Sequence, residues 1–397
     1  MAGVLRRKAR GFFSSLTNLG KRDRLVYMVK GPLTVVHLLA PARVGGLETV
    51  VLSLARGHAA RGHRVIVAAV VERDPADHPF LLALGGSMVE VRSLVLPGRR
   101  YPDERRAVRG LLGETGAQVL HTHGYRPDVV DGPVGRRLGV ATVSTAHGFT
   151  RNGIRNRAYE WLQKRELRRF DGVVAVSRAL ERELTAAGVP PSRLHMIQNA
   201  LSPAESPMSR GEAREALRLP PDALVVGWVG RFTPEKDASA VIRAFSLLKR
   251  GTSILSLIGA GWEEEQLRDL AGELGIQDRV RWHGLVPEAN RLFSAFDVFV
   301  LSSRTEGTPM VLLEALKAGT PVVTTAVGGI PDVVSTREAV LVPPCHPAAL
   351  AEGIDAVLFD RRGAEERSRA GKTLVSADFG LDAWLTRYEA VYEAALQ

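Results

Sequence analysis

The chain is 397 residues long, 45% hydrophobic and 24% charged, a balance that suits a soluble globular protein with room for two ordinary domains. Its single cysteine, Cys345, excludes a disulfide framework and a cysteine-based zinc site, and points to a reducing cytoplasm. The net charge of +10 sits in two patches: residues 1–30 carry +7, residues 151–169 carry +5, and the remainder is near −2.

The first of these patches opens the chain as a basic extension, residues 1–30, with Phe12 and Phe13 behind Arg6, Arg7, Lys8 and Arg10. It has no apolar stretch of signal-peptide length after the basic residues. No run reaches the ~18 apolar residues that cross a bilayer; the best, Leu25 to Ala40, is broken by Lys30 and Pro32. From Leu33 apolar strands alternate with amphipathic helices. Strands are predicted at Leu33–Leu39, Arg64–Val71, Met88–Leu94, Gln118–Thr122, Thr142–Ala146 and Gly172–Val176. Helices are predicted at Leu47–Ala60, Pro102–Thr115, Pro127–Leu138, Arg155–Arg169 and Ser177–Gly188.

The pattern loosens over Leu201–Pro221, rich in Pro, Ser, Glu and Arg, and then restarts. Strands follow at Leu224–Val229, Ile254–Ile258, Arg279–His283, Val298–Leu301, Pro321–Thr324 and Ala339–Val342, and the chain ends in a helix, Leu381–Leu396. Continuous Val/Ile/Leu runs interleaved with helices specify parallel sheets covered on both faces, an α/β class. The expected organisation is an extension (1–30), a Rossmann-like domain (31–203), a linker (204–221), a second Rossmann-like domain (222–378) and a terminal helix (379–397) placed to pack back on the first domain. Sites in such sheets lie at the carboxyl ends of strands.

The most informative stretch starts at Phe296, FDVFVLSSRTEGTPMVLLEALKAGTPVVTTAVGGIPDVV. Glu306 lies on the loop leaving a buried strand, and Glu314 lies eight positions on, in the helix opened by Gly307, Thr308 and Pro309 and continued by Met310 and Val311. The free N–H groups and positive dipole end of that helix suit a diphosphate, while carboxylates accept sugar and ribose hydroxyls. A nucleotide sugar fits the description of a ligand with phosphates in the middle and hydroxyls at both ends. Glu314 stands among Val311, Leu312, Leu313, Ala315 and Leu316, where a solvated glutamate is out of place. Arg231 and Lys236 follow the strand that ends at Val229-Gly230, where two cations can neutralise a departing diphosphate. Gly259-Ala260-Gly261 has only two of the three glycines of a dinucleotide fingerprint.

In the first half, Gly45-Gly46 forms a plausible phosphate-approach turn before a helix. His121 and His123 alternate onto one face at a strand end, and His147 ends the next strand. No cysteine or carboxylate stands at ligand spacing from that pair, so no metal site is expected.

The Phe296 stretch resembles the donor site of the family-4 glycosyltransferases, with their GT-B architecture of two Rossmann-like doubly wound sheets facing a cleft and their E-x7-E motif. VGRFTPEKD (Val229 to Asp237), LIGAGWEEEQL (Leu257 to Leu267) and VRWHGLV (Val280 to Val286) resemble further elements of that family in the same order. The resemblance therefore covers the C-terminal half closely, and the N-terminal half more loosely through Gly45-Gly46-Leu47-Glu48 and the histidines. One departure is Asn199-Ala200, where the family often has Asn-Gly.

The resemblance implies a retaining glycosyltransferase that moves a sugar from a nucleotide diphosphate, UDP rather than GDP, to a hydroxyl of a glycan or lipid-linked acceptor. It places His123, Arg231, Lys236 and Glu306 in catalysis, with Glu306 on the sugar and Glu314 on the ribose. Gly45, Gly46, Gly230, Gly261 and the Gly307–Val311 backbone border the donor, with His147 as an acceptor-side candidate. No cofactor is expected, and the absence of a D-x-D sequence argues against an essential metal. The basic segments 1–30 and 151–169, the latter with Ile154, Tyr159, Trp161, Leu162 and Phe170, suit an anionic membrane surface on the cytoplasmic side. No nucleic-acid module is recognisable, so none is expected as a partner. Two other readings stay open: a nucleotide-sugar epimerase or hydrolase of the same fold, and a non-enzymatic lipid- or nucleic-acid-binding protein.

Overall fold

The computed structural model describes residues 31–42, 45–72, 78–149, 153–202, 206–249 and 251–397, without the side chains of 153–156. The basic extension 1–30 and the start of the 151–169 patch lie outside the described residues.

The first sheet contains β1 (Thr34–Leu39), β2 (Arg64–Val71), β3 (Glu90–Val95), β4 (Val119–His123), β5 (Ala141–Ala146), β6 (Gly172–Ala175) and β7 (Leu194–Met196). Its spatial order is β3-β2-β1-β4-β5-β6-β7, parallel throughout. The second sheet contains β8 (Val225–Val229), β9 (Ile254–Ile258), β10 (Val280–Trp282), β11 (Val298–Leu301), β12 (Val322–Thr325) and β13 (Val340–Val342). Its order is β10-β9-β8-β11-β12-β13, also parallel. Central strands such as β4 and β9 are buried along their whole length, as a sheet with helices on both faces requires. The edge strand β3 keeps Arg92 and Ser93 exposed, which blunts an otherwise open edge.

In each sheet the strand order reverses once, between β1 and β4 and between β8 and β11. Ligand crevices form at such reversals, outside the carboxyl ends of the strands. Gly45 and Gly46 follow β1, His123 ends β4, Gly230 and Arg231 follow β8, and Glu306 follows β11. Both reversals thus carry the sequence-derived candidates.

Among the elements that differ from the sequence reading, three bear on how the sheets are built and joined. The helix expected over Pro127–Leu138 is two, Tyr125–Val130 and Gly132–Arg137, because Pro133 starts a helix readily but cannot continue one. Residues 204–221 contain a helix, Arg210–Ala216, started by a reciprocal capping box between Ser209 and Glu212. Buried Arg214 ties this helix to the second sheet, with Nε donating to the Ala295 carbonyl at 3.0 Å and Nη2 to Asp297 at 2.9 Å. Strand β7 is the third, too short to be seen as an apolar run.

The last helix, Leu381–Ala395, returns to the first sheet and buries Trp384, Leu385, Tyr388, Val391 and Tyr392 there. Each such side chain contributes about 1.5–3 kcal/mol by burial. Arg61 pins the helix through Glu389 at 2.7 Å and through Asp382. Among the described residues no helix is long and apolar enough to cross a membrane.

Candidate functional site

On the second sheet, three loops at the carboxyl edge are locked together. Gly259 has φ +144 and its backbone lies against the Gly230 carbonyl, so no side chain fits there. Gly261 sits equally close to the backbone of Phe232, whose N–H donates to the Ala260 carbonyl at 3.1 Å. The tight turn of Gly259 to Gly261 therefore holds the loop that carries Arg231 and Lys236. Trp228 Nε1 donates to Ser302 Oγ at 3.2 Å, and Ser302 Oγ lies 2.9 and 2.8 Å from the carbonyls of Lys236 and Asp237. Arg304 clamps the same turn from the other side, with Nε 2.8 Å from Asp237 Oδ2.

The result is a preset ion pair. Lys236 Nζ lies 2.6 Å from Glu306 Oε1, and Ser303 Oγ donates to that oxygen at 2.6 Å. The Glu306 side chain is 7% exposed and that of Lys236 21%. Arg231 stands apart, half exposed, with Nη2 3.5 Å from Glu235. Behind Glu306, Gly328 at φ +55 packs on the Glu306 carbonyl, which accepts from Gly329 N at 3.1 Å. A side chain at Gly328 would collide with that backbone.

The helix Met310–Ala318 starts directly after Gly307, Thr308 and Pro309, with Pro309 as its first flanking residue. Thr308 is buried, its Oγ1 donating to the Val176 carbonyl and its own carbonyl accepting from Asn199 Nδ2 at 2.8 Å. Asn199 therefore has a defined task, joining the two sheets beneath the helix start, with alanine next in the chain. A Cβ on Gly307 would lie 2.5 Å from the His147 carbonyl, and one on Gly46 would lie 3.8 Å from Met310 Cγ. The structure thus brings Gly46 and His147 of the first half to the helix that follows Glu306. Val311 in the first turn of this helix and Glu314 in the second are half-buried.

From the first sheet, Glu48 joins the group, a residue for which the sequence reading proposed no role. Its carboxylate accepts from Ala42 N at 2.8 Å. Burial pushes its pKa up, while that bond and the nearby Arg231 charge pull it down. The available signal was the acid in the first turn after Gly45-Gly46, where a glutamate interacts favourably with the helix start.

His123 is buried at the end of β4, with Nε2 3.0 Å from His37 Nδ1 and Nδ1 3.4 Å from His147 Nε2. His121 is committed elsewhere, Nδ1 to the Tyr392 hydroxyl and Nε2 to Thr145 Oγ1, both at 2.8 Å. Burial lowers all four imidazoles: His37 to about 3, His147 to about 4, His121 and His123 well below the ordinary value. One nitrogen each from His37, His121 and His123 lies within 4.8 Å of the others, a spacing open to a cation. Occupying it would break existing hydrogen bonds of His121 and His123 and bury a charge among neutral rings, which is costly. The third ring, His37, comes from β1, so the spacing rule applied to the His121–His123 pair could not find it.

The helix Gly153–Leu167 carries part of the second basic patch. Arg157, Trp161, Arg165 and Arg168 are exposed along one side at helical spacing, while Gln163 and Leu167 are buried. Lys164 is paired with Glu183 at 2.7 Å. A surface cavity of about 460 Å³ beside this helix is lined by Arg105, Arg136, Arg137 and Arg169 around Val129, Pro133 and Leu162, with Glu166 paired to Arg136 at 2.8 Å and to Arg169 at 3.2 Å.

Residues 209–374 match the family described as glycosyl transferases group 1, and residues 44–205 match glycosyltransferase family 4. A D-inositol 3-phosphate glycosyltransferase of Saccharomonospora viridis is 30% identical over 317 residues, covering 70% of this chain and 72% of the relative. An uncharacterised glycosyltransferase of Methanocaldococcus jannaschii is 27% identical over 345 residues, covering 81% and 87%. Among solved structures, HepE of Anabaena in complex with UDP-glucose superposes with a TM-score of 0.80 at 20% identity, covering 90% of this chain and 98% of that one. WaaG, a glycosyltransferase involved in lipopolysaccharide biosynthesis, gives 0.72 at 19%, with the same coverage. At such identities the superpositions speak for the two-sheet GT-B fold.

Proposed function

We propose that this chain, which belongs to the family 4 glycosyltransferases, transfers a sugar from a UDP-sugar to a hydroxyl of a glycan or lipid-linked acceptor, with retention of configuration. The observation that carries the reading is the 2.6 Å pair of Lys236 and Glu306 beside the start of the helix Met310–Ala318. A cation, a carboxylate and free backbone N–H groups in one crevice match the three parts of a nucleotide sugar.

In this reading the diphosphate lies over the Gly307–Val311 backbone, where Lys236 and Arg231 oppose the charge that grows as the glycosidic bond breaks. Gly46 lets backbone approach the donor without a side chain in the way, while Gly45, Gly230 and Gly261 allow the tight loop packing that borders it. Glu306 accepts from hydroxyls of the departing sugar and Glu314 from the ribose. His123 faces the acceptor side, with His147 beside it. The acceptor attacks from the face that the diphosphate leaves, and the leaving phosphate oxygen takes the acceptor's proton. Lys236 and Arg231 supply the charge neutralisation that a divalent ion provides elsewhere, so turnover requires neither a metal nor another cofactor. Preference for uridine is supported by the likeness to HepE, whose complexes contain UDP and UDP-glucose.

The exposed Arg157-Trp161-Arg165-Arg168 side and the arginine-lined cavity support docking on an anionic membrane. With segment 1–30 adding further charge, the enzyme works at the cytoplasmic face in cell-surface polysaccharide or glycolipid synthesis. No nucleic acid is involved.

The test is a thermal-shift screen with UDP, GDP, ADP and their sugars, followed by acceptor-dependent UDP release. UDP and one UDP-sugar should raise Tm, chelators should leave turnover unchanged, and NMR of the product should show the donor's anomeric configuration. No shift with any nucleoside diphosphate, together with no acceptor-dependent release, would sink the proposal.

A further inference from the structure

Three imidazoles line up from the interior of the first sheet to the cleft. His37 Nδ1 lies 3.0 Å from His123 Nε2, and His123 Nδ1 lies 3.4 Å from His147 Nε2. Distances alone allow the protons of this chain to point either way. The far end decides. His37 Nε2 is buried and has no hydrogen-bond partner among the described residues. Were the protons to point inward, that atom would be an N–H sealed in the core with nothing to accept it. A buried donor without an acceptor is rarer than a lone pair without a donor, and desolvating it costs about 1–3 kcal/mol. The proton of His37 therefore sits on Nδ1 and is donated to His123 Nε2. His123 then carries its own proton on Nδ1 and gives it to His147 Nε2, which leaves the proton of His147 on Nδ1, at the cleft end of the chain.

We infer that His37 is a positioning residue: its Nδ1–H holds His123 in the Nδ1–H tautomer, and through His123 it keeps the proton of His147, the half-buried ring at the cleft end, on Nδ1, so that the cleft is offered a donor and not a lone pair. The inference rests on the proposed placing of His123 and His147 on the acceptor side. A donor is the polarity that a phosphate or sugar oxygen needs, and only one ring nitrogen of a neutral imidazole can supply it. His37 suits the task because it cannot turn away. It is fully buried on β1, in register with His121 on β4, and its ring lies edge to edge with that of His123, centroids 5.3 Å apart and planes 24° from parallel. Burial keeps its pKa near 3, so it donates as a neutral ring at any physiological pH.

The test compares His37→Phe with His37→Asn. Asparagine can place an amide N–H near the position of Nδ1; phenylalanine fills the space and donates nothing. In the full-length protein, His37→Phe should lower kcat by about 10–100-fold with donor KM changed less than about threefold, and His37→Asn should recover most of the loss. Long-range 15N NMR of histidine-labelled protein reads the tautomer directly, with the His123 signals assigned through His123→Gln. The wild type and His37→Asn should show a protonated Nδ1 on His123, and His37→Phe a mixture or Nε2–H. An Nε2–H signature for His123 in the wild type, or wild-type kcat in His37→Phe, overturns the inference. So does a folded His37→Asn as slow as His37→Phe. The spectrum decides the link between His37 and His123 even if no glycosyl transfer is found, which separates its failure from that of the proposed activity.

Discussion

Lys236→Ala should lower kcat about a thousandfold and leave the folded protein thermally stable, a loss of the size seen when a preorganised transition-state donor is removed. Lys236 is 21% exposed and makes one ion pair, 2.6 Å from Glu306 Oε1, so its removal opens no core cavity. Its charge matters most when the diphosphate leaves, so kcat should fall far more than donor KM rises. Glu306→Gln keeps the shape and the Ser303 contact but removes the charge that holds Lys236. About a hundredfold is expected there. The double variant should be little worse than Lys236→Ala alone, because the two groups act as one unit. Arg231→Ala should cost less in an open enzyme, since Arg231 is half exposed and reaches only Glu235 at 3.5 Å; a loss as large as that of Lys236→Ala would mean that closure brings it onto the diphosphate. A Lys236→Ala enzyme within about threefold of wild type would remove the basis of the donor site.

The fold was legible because buried parallel strands write themselves as unbroken runs of Val, Ile and Leu. β8, β9 and β11 came from the sequence within a residue or two. The second-half site was legible for a related reason: Arg231, Lys236, Glu306 and the helix after Pro309 all lie on loops next to strands that pair in space. The rest depended on contacts between distant segments. His37 looked like one polar residue inside an apolar strand, and its partner His123 is 86 positions away. Only the pairing of β1 with β4 turns two isolated histidines into a chain. Glu48 was hidden because its counter-charge, Arg231, belongs to the other sheet. The helix Arg210–Ala216 was missed despite a readable sign, Ser209 followed three residues on by Glu212, because the surrounding Pro and Ser residues suggested a loose connection. The last helix was expected to pack back on the first domain, but nothing in its sequence said that Tyr392 would meet His121.

Acidification should weaken the protein well before its surface carboxylates titrate, because the first half stores neutral histidines in its core. His37 is held near pKa 3 and His147 near 4, against 6.5 when unfolded. Between these values and 6.5 the unfolded chain binds protons that the folded chain refuses, so stability present above pH 6.5 is lost as pH falls. At pH 5 each of the two contributes about 2 kcal/mol of loss relative to pH 7. His121, His123 and His58 are lowered as well and act in the same direction. Glu48 and Asp131, both raised by burial, oppose them, and so does Asp128. Buried and hydrogen-bonded to Thr122, Ser144 and Gln163, it is raised to about 6, so the folded state binds its proton first and gains about 1 kcal/mol at pH 5. The five lowered histidines outnumber these acids, and a net loss of about 2 kcal/mol should lower Tm by roughly 2–3 °C between pH 7 and pH 5. His37→Asn removes one refused proton, so its Tm should depend less steeply on pH even if its Tm at pH 7 is lower. A wild-type Tm that is flat or rising from pH 7 to pH 5 would mean that these rings are protonated in the folded protein, and the outward-pointing chain from His37 to His147 would fall with it.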